Sequence, residues 1–133
     1  MAVEIAATEF FRGFLETALA ADEMLTEIRL PKRPGAGWSY QKFNRRAQDW
    51  AIVGVAAVRN GGAGVALVNM GSTPLRAAAV EQALASGASV ADAAARAADG
   101  TEPPDDLNGS AEYRRHLVQV LVRRALEEAE ARG

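Results

Sequence analysis

No cysteine occurs among the 133 residues. Disulfides, thiolate metal sites, iron–sulfur ligation and cysteine catalysis are therefore excluded within the chain. Histidine occurs once, as His116 in the run Arg114-Arg115-His116. A serine triad would have to be built on that one base, and no Gly-x-Ser-x-Gly elbow accompanies it. A zinc site fails on ligand number. There is no Gly-x-Gly-x-x-Gly and no Walker lysine, so the sequence offers no pyrophosphate cradle. No run approaches the roughly 18 apolar residues of a membrane span. The opening Met1-Ala2-Val3-Glu4 has no basic stretch leading into an apolar one, and the expected location is the cytoplasm. A dominant charge is missing too: 17 acidic and 15 basic residues leave −2. That balance argues against a general attraction to nucleic acid or to an anionic membrane. Of the basic residues only Lys32 and Lys42 are lysine; the other thirteen are arginine.

What is present reads as one domain over residues 1–133, long enough for a single core. In residues 8–20, Phe11, Phe14, Leu15 and Ala18 fall at i, i+3, i+4, i+7, the spacing of a short helix or helical turn, which Gly13 weakens. Residues 25–30 (Leu-Thr-Glu-Ile-Arg-Leu) alternate with period two and predict a half-buried strand ended by Pro31. A turn cluster at 34–37 precedes an aromatic strand over 38–43. The apolar run 51–58 suits a central strand covered on both faces. Asn60-Gly61-Gly62 predicts a hairpin, with residues 64–70 returning. After Pro74 the pattern turns helical. Alanine-rich segments run over 77–86 and 89–98, the second capped by Ser89. Gly100 to Asp106 reads as an exposed loop. A last helix is capped by Ser110, with Tyr113, Leu117, Val120 and Leu121 as its apolar stripe and a frayed end over 127–132. Strands followed by helices predict an α+β fold: a three- to four-stranded antiparallel sheet with about three helices on one face.

One segment carries chemistry. Residues 38–50 read Trp-Ser-Tyr-Gln-Lys-Phe-Asn-Arg-Arg-Ala-Gln-Asp-Trp, interleaving cations and aromatics between two strands. Such a surface could stack an aromatic ring, hydrogen-bond carbonyl oxygens and favour a reduced, anionic ring system. Single-stranded nucleic acid would use the same groups, though the net charge opposes it. The plain structural reading is that Trp38, Tyr40 and Phe43 pack the sheet, Arg45, Arg46 and Asp49 pair beside a turn, and Trp50 edges the core.

Four motifs, read together, resemble a known family. They are Glu9-Phe10-Phe11-Arg12-Gly13-Phe14 with residues 17–19 and 23–31; Tyr40-Gln41-Lys42-Phe43-Asn44-Arg45-Arg46 with Asp49-Trp50-Ala51-Ile52-Val53; Gly71-Ser72-Thr73-Pro74-Leu75-Arg76-Ala77; and Gly109-Ser110-Ala111-Glu112-Tyr113-Arg114-Arg115 with residues 122–126. In this order the chain resembles, from about Ala7 to Ala129, the C-terminal domain of the medium subunit of carbon monoxide dehydrogenase and the xanthine dehydrogenase-type molybdenum hydroxylases.

The resemblance implies an electron-transfer role within an oxidoreductase complex, and no catalysis by this chain alone. In that family a large molybdenum-cofactor subunit oxidises the substrate, a small iron–sulfur subunit relays electrons, and FAD on the medium subunit receives them. An N-terminal region with glycine-rich loops grips the FAD, and the C-terminal domain closes over its isoalloxazine end. The implied flavin-facing residues are Lys42, Phe43, Arg45, Arg46 and Asp49. Phe14 and Leu15 lie where relatives often carry a tyrosine facing the ring. Only about six residues precede the match, so the N-terminal FAD-binding region is expected to be absent and FAD to be bound only in the complete subunit. The implied partners are that region and the molybdenum and iron–sulfur subunits, with no nucleic acid and no membrane. The alternative is a stand-alone, non-redox binding or assembly module of the same fold.

Overall fold

The computed structural model describes residues 2–133, which form two compact units divided between Lys32 and Arg33. In the first, α1 (Ala7–Phe10) is a single turn, followed by β1 (Phe11–Gly13) and β2 (Glu16–Thr17) in a two-stranded antiparallel hairpin. Of the short helix or helical turn expected within 8–20, only a turn forms, and it ends at Phe10. Leu15 takes a left-handed φ of 55° at the hairpin turn, a conformation a helix cannot contain. Residues 25–30 alternate as expected but belong to no strand, because no other segment pairs with them.

The second unit holds the sheet. β3 (Gly37–Phe43), β4 (Val53–Arg59), β5 (Ala63–Val68) and β6 (Leu75–Arg76) pair antiparallel in sequence order. The hairpin forms where expected, with Gly61 at φ 67°, a conformation glycine adopts at no steric cost. β6 escapes the pattern reading because two residues are too few to show a period. Three further helices, α2 (Ala78–Ala85), α3 (Val90–Ala94) and α4 (Ala111–Ala131), complete the unit. Ser89 and Ser110 cap the last two, each hydroxyl accepting from the backbone N–H three residues on, which satisfies an otherwise orphaned donor. Beyond Ala94 the second alanine-rich segment tightens into i→i−3 turns as far as Thr101.

The four-stranded sheet therefore carries a helical layer on one face, the α+β arrangement the sequence predicts. Val53, Val55, Val65 and Leu67 from the sheet meet Val80 of α2 and Leu117, Val118, Leu121, Val122 and Leu126 of α4 in one core. Burying each such side chain contributes about 1.5–3 kcal/mol. The other face is more open. Trp38, Tyr40 and Val68 are exposed there, beside Gly54, Ala56 and Ala66 on neighbouring strands.

The α4 stripe differs from the one expected. The buried set is Arg114, Leu117, Val118, Leu121, Val122, Ala125, Leu126 and Ala129, at i, i+3, i+4, i+7, i+8 and onward. Tyr113 and Val120 border it. The helix also runs to Ala131 instead of fraying at 127, since Ala129 continues the stripe through the charged residues. At that end Gly37 of β3 lies against α4 so closely that a Cβ on it would stand 1.8 Å from the Ala129 carbonyl oxygen. Among the described residues no helix is long and apolar enough to cross a membrane.

Candidate cofactor-facing loop

The connection between β3 and β4, residues 44–52, collects the cations. Lys42 and Phe43 end β3 and point to opposite faces of the pleat. Lys42 shares the open face with Trp38 and Tyr40, and Phe43 lies at the edge of the helix-covered one. The loop closes on itself. Asn44 Nδ2 donates to the Arg46 carbonyl. The Arg46 N–H donates to Asp49 Oδ2 at 3.2 Å, and the Asp49 N–H donates to the Arg46 carbonyl at 3.0 Å. The Arg46 guanidinium is 3.8 Å from the same carboxylate. Asp49 thus shapes the loop, while the Arg46 side chain remains 83% exposed. Among the described residues neither Lys42 nor Arg45 has an ion-pair partner.

Trp50 is 80% exposed and does not edge the core. Trp38, at the far end of β3, is engaged by Arg132, whose guanidinium lies 4.7 Å from the ring centroid and donates to the Trp38 carbonyl at 3.0 Å. The cationic loop and this aromatic end are therefore separated by the length of the strand. Phe14 lies in the first unit, exposed at the tip of the β1–β2 hairpin. His116 is on the exposed side of α4.

Two residues that sequence reading did not single out hold the root of this loop. The Ile52 N–H donates to the Phe43 carbonyl at 2.7 Å, closing the ladder. Asn69, left-handed at φ 62°, donates from Nδ2 to the Ala51 and Ile52 carbonyls at 3.0 and 3.2 Å. Arg114, wholly buried in α4, donates to the Ile52 carbonyl from Nη1, to the Gly109 carbonyl from Nε at 3.2 Å, and to Asp106 Oδ1 from Nη2 at 2.7 Å. The Asp106 carboxyl is held below its ordinary range, first by the Asn108 backbone N–H and then by Arg114. The sequence signal for Arg114 was its position: it occupies a core site three residues before Leu117. For Asn69 the signal was its place at a strand end before Met70-Gly71, where asparagine tolerates positive φ.

The loop is set apart from the two best-formed depressions. Two depressions of about 400 and 1050 Å3 both involve the β4–β5 turn, and none of Lys42, Phe43, Arg45, Arg46 or Asp49 lines either. Among the described residues no three His, Asp or Glu side chains converge as a metal site would need.

A family model described as CO dehydrogenase flavoprotein C-terminal domain matches residues 38–129. The chain belongs to that family. The medium chain of carbon monoxide dehydrogenase from Hydrogenophaga pseudoflava is 37% identical over 139 residues, taking in 96% of this chain and 48% of the relative. The nicotine 6-hydroxylase medium subunit of Paenarthrobacter nicotinovorans is 36% identical over the same shares of each chain. Among solved structures, reconstituted CO dehydrogenase from Oligotropha carboxidovorans matches with a TM-score of 0.87 at 36% identity, over 97% of this chain and 49% of that one. Quinoline 2-oxidoreductase from Pseudomonas putida 86 matches at 0.81 and 28% identity, over 96% and 48%. The chain therefore spans about half the length of the relatives it resembles.

Proposed function

We propose that this chain serves as the C-terminal part of a molybdenum hydroxylase flavoprotein subunit, covering the isoalloxazine end of an FAD gripped elsewhere and docking partner subunits during electron transfer. The observation that carries this reading is the 44–52 loop. It is an exposed cationic rim, fixed at its root from two other elements, in a chain of the CO dehydrogenase flavoprotein C-terminal domain family. The residues fit one end of the cofactor and not the other. Lys42, Arg45 and Arg46 offer donors and positive charge to a ring carrying carbonyl oxygens. No glycine-rich turn opens a helix here to take a pyrophosphate. FAD, when bound, supplies electron acceptance. This chain's part is electrostatic: cations near the ring favour its negatively charged reduced form and raise its potential. Phe43 offers apolar surface, and Asp49 keeps the loop in shape.

The molybdenum and iron–sulfur subunits are the proposed partners, and the substrate would be oxidised on the former. The chain alone is expected to be colourless and to bind FAD weakly or not at all. Mixing it with the half of the Hydrogenophaga medium chain that it does not match is expected to give a yellow complex. Changing Lys42 and Arg46 together to Ala should weaken FAD binding about tenfold or more. Equal FAD binding with and without the two cations would end the proposal.

A further inference from the structure

Asparagine is followed by glycine at two places, Asn60-Gly61 and Asn108-Gly109. Such a pair is chemically labile, because glycine puts no side chain in the way of its own nitrogen as that nitrogen attacks the asparagine amide. Both asparagines are exposed, so exposure does not separate them. The hydrogen bonds of the two glycines do.

At the second pair the attacking group is already engaged. The Gly109 N–H donates to the Asp106 carbonyl at 3.1 Å, and the Gly109 carbonyl accepts from the Asp106 N–H at 3.3 Å and from Arg114 Nε at 3.2 Å. The Asn108 N–H donates to Asp106 Oδ1 at 2.8 Å. The Tyr113 ring crowds the same glycine, on which a Cβ would stand 3.2 Å from Cδ1. Ring closure at Asn108 therefore requires this turn to open first, against bonds held from the buried Arg114.

The first pair sits at the tip of the β4–β5 hairpin. Among the described residues neither the N–H nor the carbonyl of Gly61 has a hydrogen-bond partner. The Asn60 N–H donates to the Gly62 carbonyl at 3.2 Å, which leaves the reacting atoms untouched. No other part of the chain lies within 4 Å of where a Cβ would sit on Gly61 or Gly62, so the space around the tip is open. Of the charged side chains lining the depressions beside Asn60, Arg59 is paired with Glu130 and Arg76 with Glu81. That leaves Arg33 unpaired among the described residues, and a free cation favours loss of a proton from the neighbouring amide.

We infer that Asn60 is a site of spontaneous deamidation in the folded chain, and that the Asp106–Arg114 clamp protects Asn108 from the same reaction. The Gly61 N–H loses its proton to hydroxide, and the nitrogen lone pair attacks the Asn60 side-chain carbonyl carbon. A carbon–nitrogen bond forms there, the bond from that carbon to Nδ2 breaks, and ammonia leaves with a proton from water. Water then opens the cyclic imide. Attack at the side-chain carbonyl gives aspartate; attack at the main-chain carbonyl gives isoaspartate, with one extra carbon in the backbone. No electrons are exchanged, and the chain gains one negative charge. That charge stands one residue from Arg59, where it competes with Glu130, at the end of β4 remote from the 44–52 loop. The inference makes no use of the flavin reading.

The test ages the purified chain in mildly alkaline buffer, folded and in concentrated urea, and follows both asparagines by peptide mapping with mass spectrometry. In the folded chain the Asn60 peptide gains one mass unit at least about tenfold faster than the Asn108 peptide. In urea, where both glycines are free, the two rates agree within about threefold. Isoaspartate appears at position 60, and the acidic shift of the intact chain is lost in Asn60→Gln. Comparable rates in the folded chain, a folded chain in which Asn60 does not react, a rate ratio that persists in urea, or an acidic shift that survives in Asn60→Gln would each overturn the inference.

Discussion

Arg114→Met separates what the buried arginine does from what it fills. Methionine preserves the unbranched apolar stem and removes the guanidinium. The donors to the Gly109 and Ile52 carbonyls are lost together with the pair to Asp106. Each hydrogen bond to a charged group contributes about 1.5–3 kcal/mol, and a buried acceptor left bare costs about 1–3 kcal/mol. Ile52 retains Asn69 and Gly109 retains the Asp106 N–H at 3.3 Å, so neither carbonyl is left bare and the cost is that of the bonds lost. Packing by the methionine offsets part of the loss, and a net cost of about 3 kcal/mol is expected. With a urea slope of about 2 kcal/mol per molar, the unfolding midpoint falls by about 1.5 M. Asp106 is half exposed, so in Asp106→Asn water can take over at that end. That variant should move the midpoint much less than Arg114→Met. Equal effects from the two would show that the ion pair, and not the donation to the Ile52 and Gly109 carbonyls, stabilises this corner. A shift below about 0.25 M for Arg114→Met would refute the estimate altogether.

Three other outcomes are expected. Asn69→Gly should be less destabilising than Asn69→Ala, reversing the usual order, because glycine accepts the φ of 62° that alanine resists; urea midpoints of the two variants decide it. Gly37→Ala should lower thermal stability by at least about 2 kcal/mol, since its Cβ meets the α4 backbone and not a side chain that could swing away; a melt within a degree of the parent protein refutes it. The Glu128 carboxyl is held below its ordinary range, first by the Ser39 hydroxyl at 2.5 Å and further by Arg132 and Gln41. A carboxylate with a depressed folded pKa contributes stability that is fully present above its unfolded value, near 4.5, and lost as pH falls through the folded one. Melting temperature should therefore decline on acidification below about pH 4.5, and Glu128→Gln should flatten that decline.

The sheet and its helical cover were legible because their signals are local. The apolar run of β4, the Asn60-Gly61-Gly62 turn and the caps Ser89 and Ser110 each state their element within a few residues. The first unit was misread for the converse reason. Periodicity reports which side chains would be buried if something covered them, and nothing in this chain covers Ile28 and Leu30. The same blindness hid Leu15, whose hairpin turn interrupts a helical spacing. The candidate site divided similarly. Lys42, Arg45, Arg46 and Asp49 are close in sequence and could be found as a run. Asn69 and Arg114 reach the loop root from 17 and 62 residues beyond Ile52, and only the folded chain brings them to its carbonyls. Arg114 was further disguised by its charge, which reads as surface although its spacing reads as core.

The missing side chain at Gly37 makes α4 a lever. The helix rests directly on the sheet backbone near Ala129 and holds the loop root through Arg114, about 22 Å back along its axis. Any residue that lifts the near end tilts the shaft about its packed middle, and the tilt is delivered where Arg114 grips Ile52. A change at the start of β3 can therefore retune the cationic rim at the opposite end of the same strand without touching it.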